Sequence, residues 1–131
     1  MAEESRNVKN RPDFSPLGRI KALTSVALTT STGTPIAGSG FDLGACFSNF
    51  SFCAVPSGST KVSIRLQGSL VSSTGPWENI SAASTWTSTN AGKVRKSTNT
   101  VPVQFVRINI VGWTTSASVD TVSGYIGIGK S

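Results

Sequence analysis

From residue 61 to residue 70 the chain alternates strictly. Val62, Ile64 and Leu66 fall on one side, and Lys61, Ser63, Arg65 and Gln67 on the other. A period of two is the repeat of a pleated strand, so this run predicts a strand with one buried face. Residues 101–111 repeat the pattern: Val106, Ile108 and Ile110 align, opposite Phe105, Arg107 and Asn109. Shorter strands are predicted over residues 20–30, 47–55, 77–80, 84–89, 93–97 and 119–128. Within them Phe50, Phe52 and Ala54 share one face, as do Val122, Ile126 and Ile128. Turn-forming residues punctuate the series at 31–35, 56–59, 72–76 and 90–92, while 38–44 and 113–118 read as loops. No segment shows helical periodicity. Seven or eight short strands at this spacing predict an all-β, antiparallel β-sandwich of jelly-roll or immunoglobulin-like type over residues 19–131.

Residues 1–18 break the pattern. They are charged, contain Pro12 and Pro16, and offer only Val8, Phe14 and Leu17 as sizeable apolar groups after the initiator Met. Such a segment cannot bury enough apolar surface to offset its ordering entropy, so it is expected to be flexible or extended by itself. It is either a frayed terminus or an arm that docks on a neighbouring subunit with Phe14 and Leu17 as anchors.

Composition supports the strand reading. The chain holds 36 Ser and Thr residues and 13 Gly, and only 14% of its residues are charged, too few to cover several exposed helix faces. The formal net charge is +6, which favours acidic partners. The basic residues are dispersed rather than run together, so direct nucleic-acid binding is not expected. The densest group, Lys93, Arg95 and Lys96, reads as a contact for acidic groups or as an edge strand on which Lys blocks unwanted pairing. Cys46 and Cys53 are too far apart along an extended chain for a disulfide. They read as small buried hydrophobes of a protein made in a reducing cytoplasm. Met1 to Asn10 lacks the apolar run of a signal peptide, and no stretch approaches a membrane span.

The chemistry that the sequence lacks argues against an enzyme. There is no His, hence no usual general base and no Ser-His-Asp arrangement. The predicted domain has three acidic residues, Asp42, Glu78 and Asp120, with nothing to place two of them together. No phosphate-binding or dinucleotide fingerprint occurs, and no cofactor or metal is expected. What remains is binding. Trp77, Trp86 and Trp113 lie in or beside predicted loops, where they could stack on sugar rings or plug the ends of a core.

Two segments carry a family resemblance. The first is Val62-Ser63-Ile64-Arg65-Leu66-Gln67-Gly68-Ser69-Leu70, then a loop and Trp77-Glu78-Asn79-Ile80. The second is Val101-Pro102-Val103-Gln104-Phe105-Val106-Arg107-Ile108-Asn109-Ile110. Together they resemble small β-sandwich virion proteins of tailed bacteriophages, notably capsid decoration or cement proteins, over roughly residues 20–128. The resemblance implies a structural protein on the capsid exterior, assembled in the host cytoplasm. It further implies a homotrimer bound to the major capsid protein through an N-terminal arm. Mapped onto this sequence, that arm would use Arg6, Lys9, Arg11, Phe14, Leu17, Arg19 and Lys21. A carbohydrate-binding module on a virion or tail, with Trp77, Trp86 and Trp113 as the stacking platform, shares the strand-loop-Trp layout. A tail or connector component is the third reading.

Overall fold

The computed structural model describes residues 19–28, 35–58, 60–97, 101–115 and 120–129. Within them lie ten strands: β1 (Arg19–Ala27), β2 (Ile36–Ala37), β3 (Phe41–Phe47), β4 (Phe50–Pro56), β5 (Lys61–Ser69), β6 (Glu78–Asn79), β7 (Ser84–Trp86), β8 (Arg95–Lys96), β9 (Val103–Thr114) and β10 (Thr121–Ile128). The two clean alternations become β5 and β9, the central pair of one sheet, registered antiparallel with Leu66 opposite Ile108.

One sheet runs β1-β10-β4-β8. In the other, β9 and β5 are central, β2 and β3 pair successively along the free edge of β9, and β6 and β7 do the same along β5. Counting each successive pair as one interrupted strand leaves eight positions, ordered 1-8-3-6 and 2-7-4-5. That order is a jelly roll, which resolves the choice between the two predicted sandwich types. Val62, Ile64, Leu66, Val106, Ile108 and Ile110 from one sheet meet Phe50, Phe52, Ala54, Val122 and Ile126 from the other, all essentially inaccessible to solvent. Burial of these side chains contributes about 1.5–3 kcal/mol each and is the main force holding the sheets together.

Several predicted boundaries are corrected. Residues 41–44, expected in the 38–44 loop, belong to β3 (Phe41–Phe47), and the strand expected over 47–55 divides. Phe47 belongs to the β9 sheet and Phe50 to the β10 sheet, with Ser48-Asn49 carrying the chain across. Trp113 lies in β9, not in a loop. In β1 the alternation fails because Ala22 and Leu23 are both buried. Register shifts follow on each side of Leu23, and Ser25 adopts φ 44°. The buried-cysteine reading fails for Cys46, which is exposed. Gly44 at φ 76° and the register shift between Asp42 and Phe47 carry residues 44–46 out of the ladder. Cys53 is half-buried, and both thiols are free.

Candidate functional site

Strand alternation makes the outer face of the β1-β10-β4-β8 sheet basic. Inward Val122 and Ile126 leave Tyr125 pointing outward, and β1 pairs with β10 so that Lys21 lies opposite Tyr125 and Arg19 opposite Gly127. The Arg19 guanidinium sits 5.2 Å from the centre of the Tyr125 ring and the Lys21 ammonium 5.9 Å, both within cation–π range. The rows continue across the sheet. Tyr125 is registered with Cys53, and Gly127 with Ser51, which in turn faces Lys96. Arg19 and Lys96 therefore stand three strand spacings apart, about 14 Å. Gly127 offers no side chain between them, and a Cβ there would lie 2.5 Å from Ser51 Oγ. Burial raises the Cys53 thiol above its ordinary value, while the neighbouring positive charge of Arg19 acts in the opposite direction. Among the described residues the acids lie elsewhere. Asp42 and Glu78 are on the second sheet, and Asp120 is buried at the opposite end of the sandwich, where it accepts from Thr60 Oγ1 (2.8 Å) and from Thr115 Oγ1.

The outer face of the second sheet has a different character. Arg107 Nε donates to Gln67 Oε1 (2.7 Å), and Gln67 Nε2 donates to Asn79 Oδ1 (3.0 Å), a ladder across β9, β5 and β6. The Trp77 ring covers it, 4.6 Å from the Arg107 guanidinium. Burial lowers the Arg107 pKa from its ordinary value. The 70–77 loop can press this closely because position 40 is Gly: a Cβ there would lie 2.2 Å from the Ser73 carbonyl oxygen and 2.8 Å from the indole. Arg65 shares this face, registered with Asn109, and its buried Nε has no hydrogen-bond partner among the described residues.

Of the residues expected to form a grip, Arg19 and Lys21 come together around Tyr125. Arg6, Lys9, Arg11, Phe14 and Leu17 lie outside the described residues. The three tryptophans do not form one platform. Trp86 and Trp113 flank Val62 on the inner face and are buried. Trp86 Nε1 donates to the Lys93 carbonyl (2.8 Å), and its ring meets Phe52 edge-on at 5.7 Å. Trp77 alone lies on an outer face, over Arg107 rather than plugging the end of the core. Arg95 turns inward over Trp86, at 5.8 Å, so Lys96 is the member of the basic cluster on the basic face. Sequence reasoning missed Tyr125, which its alternation with Ile126 could have marked as outward, and it placed Arg107 opposite the buried face without giving it a role. The neighbours of both on other strands could not be read from the pattern. Among the described residues no group of three His, Cys, Asp or Glu side chains could hold a metal ion. Set against known protein families, curated proteins and solved structures, the chain matches none.

Proposed function

We propose that this chain is a structural virion protein that decorates and stabilises a phage capsid by binding the major capsid protein. The observation that supports this most is the basic face of Arg19, Lys21 and Lys96 around Tyr125, which begins where residues 1–18 join the sandwich. Arg6, Lys9 and Arg11 in that segment would add contacts to acidic groups of the shell, while Glu3, Glu4 and Asp13 leave the segment without net side-chain charge. Electrostatic complementarity of this kind steers encounter and sets register more than it adds raw affinity. The jelly-roll order adds an analogy at the level of fold only, since viral shell proteins and lectins share it.

The test is co-sedimentation with empty phage heads assembled from the major capsid protein. Each surface ion pair contributes about 0.2–1 kcal/mol. Reversing Lys21 and Lys96 to Glu also adds repulsion, so binding should weaken roughly tenfold or more, and wild-type binding should weaken as salt rises. Undiminished binding by the double reversal would refute the assignment.

The polar face of the second sheet favours a second reading, saccharide binding. Arg65 Nε, without a partner among the described residues and beside the Arg107–Gln67–Asn79 ladder, is the kind of group a polyhydroxy ligand satisfies. Glycan-array binding that disappears in Arg107→Ala and Trp77→Ala would support it. Binding that survives both would remove it.

A further inference from the structure

On the outer face of the second sheet, β5 presents Lys61, Ser63, Arg65 and Gln67 in a row. The register with β9 shifts between Ser63 and Ile64, where β9 carries an extra residue, Val111. Gly112 stands across from Ser63, and a Cβ added there would meet nothing within 4 Å. The result is a shallow hollow of about 290 Å³ lined by Lys61, Ser63, Gly112, Trp113 and Thr114. On its β7 side Ser63 Oγ and Thr85 Oγ1 are hydrogen-bonded at 2.8 Å. One hydroxyl proton is used between them, and the other remains for a ligand.

Arg65 is the next outward residue after Ser63, with Asn109 opposite. The two arginines of this face differ. Arg107 Nε is taken by Gln67 Oε1, and its guanidinium by the Trp77 ring. Arg65 Nε is buried and has no partner among the described residues. No acid among them stands beside it. Asp42, opposite Phe105, is four residues along β9 from Asn109, about 13 Å. Its Oδ1 already accepts from Gly44 N and Gln104 Nε2. Glu78 pairs with Gly68, a position whose Cβ would meet Val103 and Ile80 on the inner side. A buried donor on a charged group costs free energy until an acceptor meets it. Nε and the terminal nitrogen beside it form a planar two-donor edge that matches the two oxygens of a carboxylate. Because Arg65 is only half-buried, turning its guanidinium brings that edge to the surface.

We infer that this face binds an acidic saccharide. Arg65 takes the carboxylate, and Lys61 adds positive charge at the far side of the hollow. The Ser63–Thr85 pair and Asn109, which both donate and accept, take ring hydroxyls. A plain anion would use Arg65 and Lys61 alone. The inference rests on the saccharide reading and narrows its ligand to sugar acids.

The test is calorimetric titration of the full chain with oligogalacturonate, hyaluronan fragments and sialyllactose, each compared with its carboxyl-reduced form. At least one acid should bind, and more tightly than its reduced form. Arg65→Gln should weaken the acid about ten- to a hundredfold and leave the reduced form unchanged. Gly112→Leu, which fills the hollow, should weaken both while the far-UV dichroism of β structure is retained. Should Arg65→Gln fail to fold, the acid-against-reduced comparison on the wild type still decides. Equal affinity for acid and reduced forms would overturn the inference and leave the saccharide reading standing. No binding of either form would remove both. Full competition by sulfate or inorganic phosphate at matched concentration would mark a plain anion site and overturn the inference, as would undiminished acid binding by Arg65→Gln.

Discussion

Replacing Trp86 by Ala removes the largest fully buried side chain of the described sandwich. Large-to-small truncation of a buried Trp costs about 3–5 kcal/mol through lost transfer energy and a residual cavity. That sum includes the edge-on contact with Phe52, worth about 0.5–1.5 kcal/mol. The hydrogen bond to the Lys93 carbonyl adds about 1 kcal/mol. Lys93 is exposed, so water can satisfy its carbonyl in the variant, and the upper end of the range is not exceeded. We therefore expect about 4–5 kcal/mol for Trp86→Ala, a large share of the 5–15 kcal/mol that holds a domain folded. Trp77→Ala should cost only about 1–2 kcal/mol. Trp77 is half-buried, and a partly exposed cation–π contact such as that with Arg107 contributes about 0.5–1 kcal/mol. Urea titration followed by far-UV dichroism measures both on one scale. Equal costs for the two variants, or less than about 1 kcal/mol for Trp86→Ala, would refute the assignment of one indole to the core and the other to the surface.

Gly40→Ala should destabilise by about 1–3 kcal/mol, seen as a lower thermal midpoint, because its Cβ would collide with the Ser73 carbonyl 2.2 Å away. The same variant should red-shift Trp77 emission as the loop lifts. Asp120 gives a pH prediction. Hydrogen bonds from Thr115 and Thr60 hold its carboxyl below the ordinary 3.8. A depressed folded-state pKa contributes stability above the unfolded value and loses it as pH falls through the folded one. Calorimetry should show the thermal midpoint falling below about pH 4, and less steeply in Asp120→Asn; parallel profiles for the two proteins would contradict it.

The central strands were legible because β5 from Lys61 to Gly68 and β9 from Val106 to Ile110 are buried on one face with a period of two. The period breaks at Val103 and Trp113, and there the sequence misplaced Trp113 in a loop. Legibility failed where the physics is non-local. Nothing such as Pro or Gly marks Ser48-Asn49, so a single continuous strand was the natural reading of two strands in different sheets. The bulged β1 hides its inward face because Ala22 and Leu23 are adjacent. At the candidate site, Arg19 and Lys21 were identifiable from charge and position. Their assembly around Tyr125 depends on pairing across about a hundred residues of sequence, which no local pattern encodes. Trp86 and Trp113 flank Val62 only because β7 and β9 pair on either side of β5. Their burial therefore became visible only with the register.

The interrupted borders of the second sheet have a consequence for assembly. Along β9 and along β5 the outermost backbone is supplied in two short pieces, with the chain leaving the ladder between them. An incoming extended segment finds no continuous row of amide and carbonyl groups to copy, so that side of the molecule cannot seed open-ended fibre growth at high copy number. Copies that meet there must do so through side chains rather than by extending the ladder.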